Sequence, residues 1–79
     1  VSMSKTNDHK DLPIAVTVNG ETRAMPLGTS VADLLAHLGI VGGKVAVERN
    51  RAIVARSSFD TQMLQDGDVI EIVRFVGGG

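Results

Sequence analysis

The sequence predicts an α+β domain, a mixed sheet of about five strands covered on one face by one main helix. Three observations lead there. Asn19-Gly20 separates two β-prone runs, and Val31, Leu34, Leu35 and Leu38 recur at i, i+3, i+4 and i+7. After Gly42-Gly43 the apolar pattern changes to period two and stays so, with one irregular interruption, through Phe75.

In order along the chain, residues 1–12 carry several charges and little that could pack, so they are expected to form a mobile leader. Val1-Ser2 stands ahead of Met3, which is expected to be the natural start. The domain is expected over residues 13–76. Ala15-Val16-Thr17-Val18 reads as a strand, and Asn-Gly supplies the positive φ that a type I′ turn requires. Glu21 to Met25 is the return strand, ended by Pro26, which has no amide proton for a ladder. Ser30 followed by Asp33 is a capping-box pattern with aspartate in the acidic position. The helix should run from Val31 to about Leu38, closed by Gly39, with His37 solvated beside its apolar stripe. Lys44 to Glu48 reads as a strand, Arg49-Asn50-Arg51 as a turn, and Ala52-Ile53-Val54 as the return. Arg56 to Gln65 is an irregular connection whose core residues should be Phe59, Met63 and Leu64. Gln65 to Asp68 is a turn, and Val69 to Phe75 the last strand, with Ile70 and Ile72 on one face and Val69, Glu71, Val73 and Phe75 on the other. That strand should lie mid-sheet beside the first. Residues 77–79 form a glycine tail.

Composition bounds the function. The 79 residues suffice for one small core, and a chain of this size buries only about 60% of its unfolded surface. A hydrophobic share of 43% fits a folded domain. A net charge of −1 provides no global field for nucleic acid or an anionic membrane, and two aromatic residues, Phe59 and Phe75, provide no stacking platform. No cysteine is present, which excludes disulfides, thiolate metal sites and a cysteine nucleophile. No apolar run approaches the roughly 20 residues of a membrane helix, so a cytoplasmic protein is expected, acting neither on membranes nor on nucleic acid.

No serine, histidine and acid are spaced as a triad, and no metal-ligand spacing occurs. Asp66 and Asp68 flank Gly67 in a turn, where acidic residues serve turn geometry. The glycines from Gly39 to Gly43 are not followed by the Lys-Ser/Thr of a phosphate loop. Lys44, Arg49, Arg51 and Arg56 form either a solvated hairpin or a dock for an acidic surface. Val76-Gly77-Gly78-Gly79 has two readings as well. Glycines can be simple slack. Alternatively, a thin, flexible glycine tail can thread a narrow channel and present its α-carboxylate to another protein's active site. An α-carboxyl group ordinarily titrates at roughly 3.3–3.7, so it is ionised at neutral pH. Such a carboxylate could attack the α-phosphate of ATP and become an activated acyl-adenylate.

The segment from Ile14 to Gly79 resembles the ubiquitin-like sulfur carrier proteins, most closely the carrier of thiamine biosynthesis. The resemblance rests on Val18-Asn19-Gly20-Glu21, Thr29-Ser30-Val31-Ala32-Asp33-Leu34-Leu35, Val45-Ala46-Val47-Glu48-Arg49-Asn50, and Leu64 to Ile72 running into Val76-Gly77-Gly78-Gly79. It implies a β-grasp fold and a protein that is a co-substrate rather than an enzyme. It further implies that Gly79 is adenylated by a partner related to ubiquitin-activating enzymes, which uses ATP and magnesium, while the chain itself binds no cofactor and no metal. The adenylate becomes a thiocarboxylate with sulfur from a cysteine desulfurase, and the tail delivers it to thiazole synthase. By position, Gly79 bears the sulfur, Gly78 is its slim neighbour and Gly77 extends the reach. Val73, Phe75 and Val76 are candidates for partner docking, unless Phe75 folds back onto the sheet, and Arg74 either pairs with an acidic partner or solubilises the strand. The alternatives are the sulfur-carrying small subunit of molybdopterin synthase, a β-grasp interaction module with incidental glycines, and conjugation to lysines in the manner of ubiquitin. Molybdopterin carriers often place prolines just before the glycines, whereas this chain has Ile72-Val73-Arg74-Phe75-Val76.

Overall fold

A computed structural model describes residues 13–40 and 44–75. The expected leader, the Val41–Gly43 connector, and Val76, Gly77, Gly78 and Gly79 lie outside the described residues. The elements are β1 (Pro13–Val18), β2 (Glu21–Pro26), helix α1 (Val31–His37), β3 (Val45–Arg49), β4 (Ala52–Val54), a short 3-10 turn (Arg56–Ser58) and β5 (Val69–Arg74). The sheet order is β2-β1-β5-β3-β4. β1 runs parallel to β5, and the other pairings are antiparallel. This is the expected mixed five-stranded sheet with its last strand at the centre.

Local chemistry accounts for each turn. Asn19 and Gly20 take φ values of 50° and 86°, the geometry that lets β1 and β2 pair without splaying. The second hairpin uses Asn50 and Arg51 at 51° and 73°, a left-handed conformation that an arginine adopts at a cost. Arg49 therefore belongs to β3, opposite Ala52, rather than to the turn as expected. At the other end of β3, Lys44 lies outside the strand.

Helix α1 is only seven residues long and would not persist alone. Its N-terminal donors are all satisfied. Ser30 Oγ accepts from the Asp33 amide at 3.0 Å, and Asp33 Oδ2 accepts from the Ser30 amide at 3.1 Å. The connection after β4 covers the rest: the Gln62 carbonyl accepts from Val31 N, and the Phe59 carbonyl from Ala32 N. That role fixes the connection's register. Leu64 is fully buried and Phe59 packs partly against the core, as expected. Met63 departs from expectation and is 40% exposed: it sits in an antiparallel bridge with Ser30, and in this extended segment the next residue, Leu64, takes the buried position.

The core lies between α1 and one sheet face, centred on Val16, Val31, Leu34, Val47, Leu64 and Ile70. Ile70 and Ile72 point inward from β5 and leave Val69, Glu71 and Val73 on the uncovered face, as the period-two pattern requires. Among the described residues, no helix is long and apolar enough to cross a membrane.

Candidate functional site

β5 is the structural stem of the predicted site, since it leads toward the glycines. It is held from both sides. Backbone groups of its odd-numbered residues face β3: Asn50 N donates to Val69 O, and Phe75 N donates to Lys44 O at 2.9 Å. Those of its even-numbered residues face β1, where Asn19 N donates to Ile70 O. Phe75 thus continues the pairing with the β3 side one residue past the strand proper.

Val73 and Phe75 are 55% and 58% exposed on the uncovered face. Phe75 is thus more exposed than covered. Ile53 on β4 and Val69 at the start of β5 add further apolar surface. Between them Glu48 and Glu71 stand directly opposite one another. Like charges at opposed positions oppose pairing, so this placement costs stability in the free domain. Arg74 is exposed as well. The structure therefore brings Val73, Arg74 and Phe75 together at the end of β5.

A side-chain cluster supports the stem from below. Asp68 is buried just before β5, and its carboxylate accepts from Arg49 Nε at 2.8 Å, Gln65 N at 2.8 Å and Asn50 Nδ2 at 3.0 Å. Burial would raise its pKa, but the hydrogen bonds from Arg49, Gln65 and Asn50, with the Arg49 charge, hold it below the ordinary value of 3.8. Asp66 takes a separate role, accepting from Ala15 N at 2.8 Å. The Asp68 contact to Gln65 N serves the turn, as its setting in the sequence suggested, while the bonds from Ala15, Arg49 and Asn50 tie that turn to the sheet. Of the four basic residues in the run, Arg49 is committed to Asp68. No group of three His, Asp or Glu residues among the described ones is placed to hold a metal ion. A cleft of about 170 Å³ lies between β2 and α1, lined by Met25, Pro26, Leu34 and His37 among others. Its Thr29 hydroxyl donates to Pro26 O, and Asp33 is engaged in the helix cap.

What this frame belongs to is decided by comparison with known proteins. The sequence profile of the ThiS family matches residues 16–79. The chain belongs to the ThiS family. It is 46% identical over 50 residues to the sulfur carrier protein ThiS of Bacillus subtilis, covering 63% of this chain and 76% of that protein. A solved structure of the thiamine biosynthesis protein ThiS from Geobacter metallireducens superposes with a TM-score of 0.68 at 33% identity, covering 84% of this chain and all of that one. The β-grasp fold of the ThiS family is thus the fold of this chain. Two relatives named thiazole synthase, from Magnetococcus marinus and Paramagnetospirillum magneticum, are 45% and 47% identical over 64 residues. That stretch is 81% of this chain but 20% of each relative, so the chain spans about a fifth of their length.

Proposed function

We propose that this chain is a sulfur carrier of thiamine biosynthesis and works as a co-substrate rather than as an enzyme. The observation that carries the reading is the alignment of three things on one strand. The central strand β5 exposes Val73, with Phe75 exposed just beyond it, is followed in the sequence by Val76-Gly77-Gly78-Gly79, and is matched by the ThiS family through residue 79.

The chemistry follows from the tail. A Gly79 carboxylate oxygen attacks the α-phosphorus of ATP in the active site of a ubiquitin-activating-like adenylyltransferase, with magnesium on the phosphates, and pyrophosphate leaves. The terminal sulfur of a persulfide, supplied ultimately by a cysteine desulfurase, then attacks the activated carbonyl and AMP leaves. A thiol cleaves the S–S bond of the resulting acyl disulfide and ends in a disulfide with the former persulfide cysteine. The product is a thiocarboxylate, whose sulfur passes to thiazole synthase. Gly77 and Gly78 keep the tail thin enough to enter both partners. Val73 and Phe75 contribute apolar docking area, with Arg74 and Val76 at its edge, and a partner cation set between Glu48 and Glu71 would relieve their repulsion. The relatives named thiazole synthase support that enzyme as a partner, because there a segment like this chain is part of the same polypeptide. Fusion of that kind raises the effective concentration of one partner at the other.

ATP–pyrophosphate exchange with the cognate adenylyltransferase tests the reading. Exchange should depend on this chain and be abolished by one extra residue after Gly79, which displaces the carboxylate while the fold is kept. Undiminished exchange with the extended chain would refute the proposed chemistry.

A further inference from the structure

Asn19 does more than turn a hairpin. Its carboxamide reaches across to β5, where Oδ1 accepts from Ile72 N at 2.7 Å and Nδ2 donates to Ile72 O at 3.1 Å. Only one orientation of the amide satisfies both bonds, so the network fixes it. The pairing of β1 with β5 ends at Val18 opposite Ile70, because the chain turns back at Asn19 and Gly20. No strand residue of β1 is left to stand opposite Ile72. The side chain of Asn19 supplies the missing peptide group, one acceptor and one donor, and so extends the ladder one step toward the end of β5.

Asn50 makes a comparable clasp at the other end of the strand. It also begins a two-residue turn at positive φ, and its side chain accepts from Val69 N at 2.9 Å and donates to Asp68. The two asparagines therefore hold β5 from opposite sides, Asn50 where the strand begins and Asn19 where it heads toward the glycines.

We propose that Asn19 is a positioning residue for the tail: by clasping Ile72 it fixes the direction in which β5 presents Val73, Arg74, Phe75 and the segment beyond. In its reactive consequence this rests on the sulfur-carrier reading above. The reaction depends on placing one carboxylate at the α-phosphorus, and small misplacements of a reacting group are costly. The Asn19 carboxamide is engaged by Ile72, so its proposed action is through β5.

The test compares Asn19→Gly with Asn50→Gly in the full chain. Glycine adopts both turn conformations, so each variant keeps its hairpin and loses only its clasp. Amide hydrogen exchange at Ile72 should accelerate about tenfold or more in Asn19→Gly relative to Asn50→Gly, as expected of a local opening. In the adenylation assay, kcat should fall about tenfold in Asn19→Gly with a smaller change in KM, and stay within about twofold of the unmodified chain in Asn50→Gly. Asn19→Asp, which sets a carboxylate oxygen against the Ile72 carbonyl while keeping the acceptor for its amide, should show the same direction and guards against a folding failure of the glycine variant. Equal exchange at Ile72 in the two glycine variants, or equal kcat, would overturn the proposal. If the unmodified chain is not adenylated, the sulfur-carrier reading fails on its own, and exchange at Ile72 still decides whether the clasp fixes β5.

Discussion

At the residue scale, Asp68 is the side chain on which most converges. It is 5% exposed and joins Arg49 of β3, Asn50 of the second turn and the Gln65 amide to the start of β5. Replacing it by alanine leaves these donors without their acceptor, and we expect a loss of about 3 kcal/mol, measured by urea unfolding. The pH dependence follows from its lowered pKa. A carboxyl whose folded pKa lies below its unfolded value of 3.8 contributes stability that is fully present above about pH 5 and is lost as pH falls through the folded pKa. The stability gap between the unmodified chain and Asp68→Asn should therefore be constant from pH 5 to neutrality and narrow below about pH 4. A gap that widens on acidification would show that Asp68 is not the ionised acceptor described. In the sequence Asp68 reads as an ordinary turn residue. Its partners Arg49 and Asn50 are distant in the chain, and no local pattern announces a pairing made only when β3 and β5 meet.

At the scale of elements, the hairpin turns and the helix cap show which local signals survive into the fold. Asn19-Gly20 and Ser30 with Asp33 are short-range chemistry, complete within four residues, and both form as the sequence predicts. Ser30→Ala should cost about 1 kcal/mol through the loss of an N-cap, read as a lowered unfolding midpoint at unchanged slope. Asn50-Arg51 carries a weaker signal, because arginine is a poor choice for the second position of such a turn. It holds a φ of 73° because the β3–β4 register and the Asn50 contacts to Asp68 and Val69 require it. Arg51→Gly should relieve strain of roughly 1–2 kcal/mol against an entropic cost of roughly 0.5–1 kcal/mol, for a net gain of about 0.5 kcal/mol. A clear loss of stability would mean that the Arg51 side chain makes a compensating contact. Met63 illustrates the opposite limit. Its apolar character suggested the core, but in the extended segment bridged to Ser30 only one of two adjacent apolar residues can face inward, and Leu64 does; a bridge between distant segments leaves no trace in hydrophobic spacing.

At the scale of the whole molecule, one sheet face builds the core and the other is left exposed. The division is legible in the sequence because β5 alternates strictly, and Ile70 and Ile72 point inward while Val73 and Phe75 point out. The role of Asn19 in holding that strand is not legible, since 53 residues separate it from Ile72. Exposed side chains contribute little to folding, so Phe75→Ala should change stability by less than about 0.5 kcal/mol. If Phe75 is a docking anchor, the same change should weaken binding to the adenylyltransferase by about 2 kcal/mol, measured by calorimetry. Equal affinity would move the docking surface elsewhere.

The central claim is that Gly79 carries sulfur. Intact-mass spectrometry of the chain after incubation with ATP, magnesium, cysteine, a desulfurase and the cognate adenylyltransferase tests it most directly. The account predicts a gain equal to one sulfur minus one oxygen, mapped by fragmentation to Gly79 and lost when a residue is added after it. An unchanged mass in the presence of a demonstrably active partner would contradict it and leave the glycines as slack at the end of a binding module.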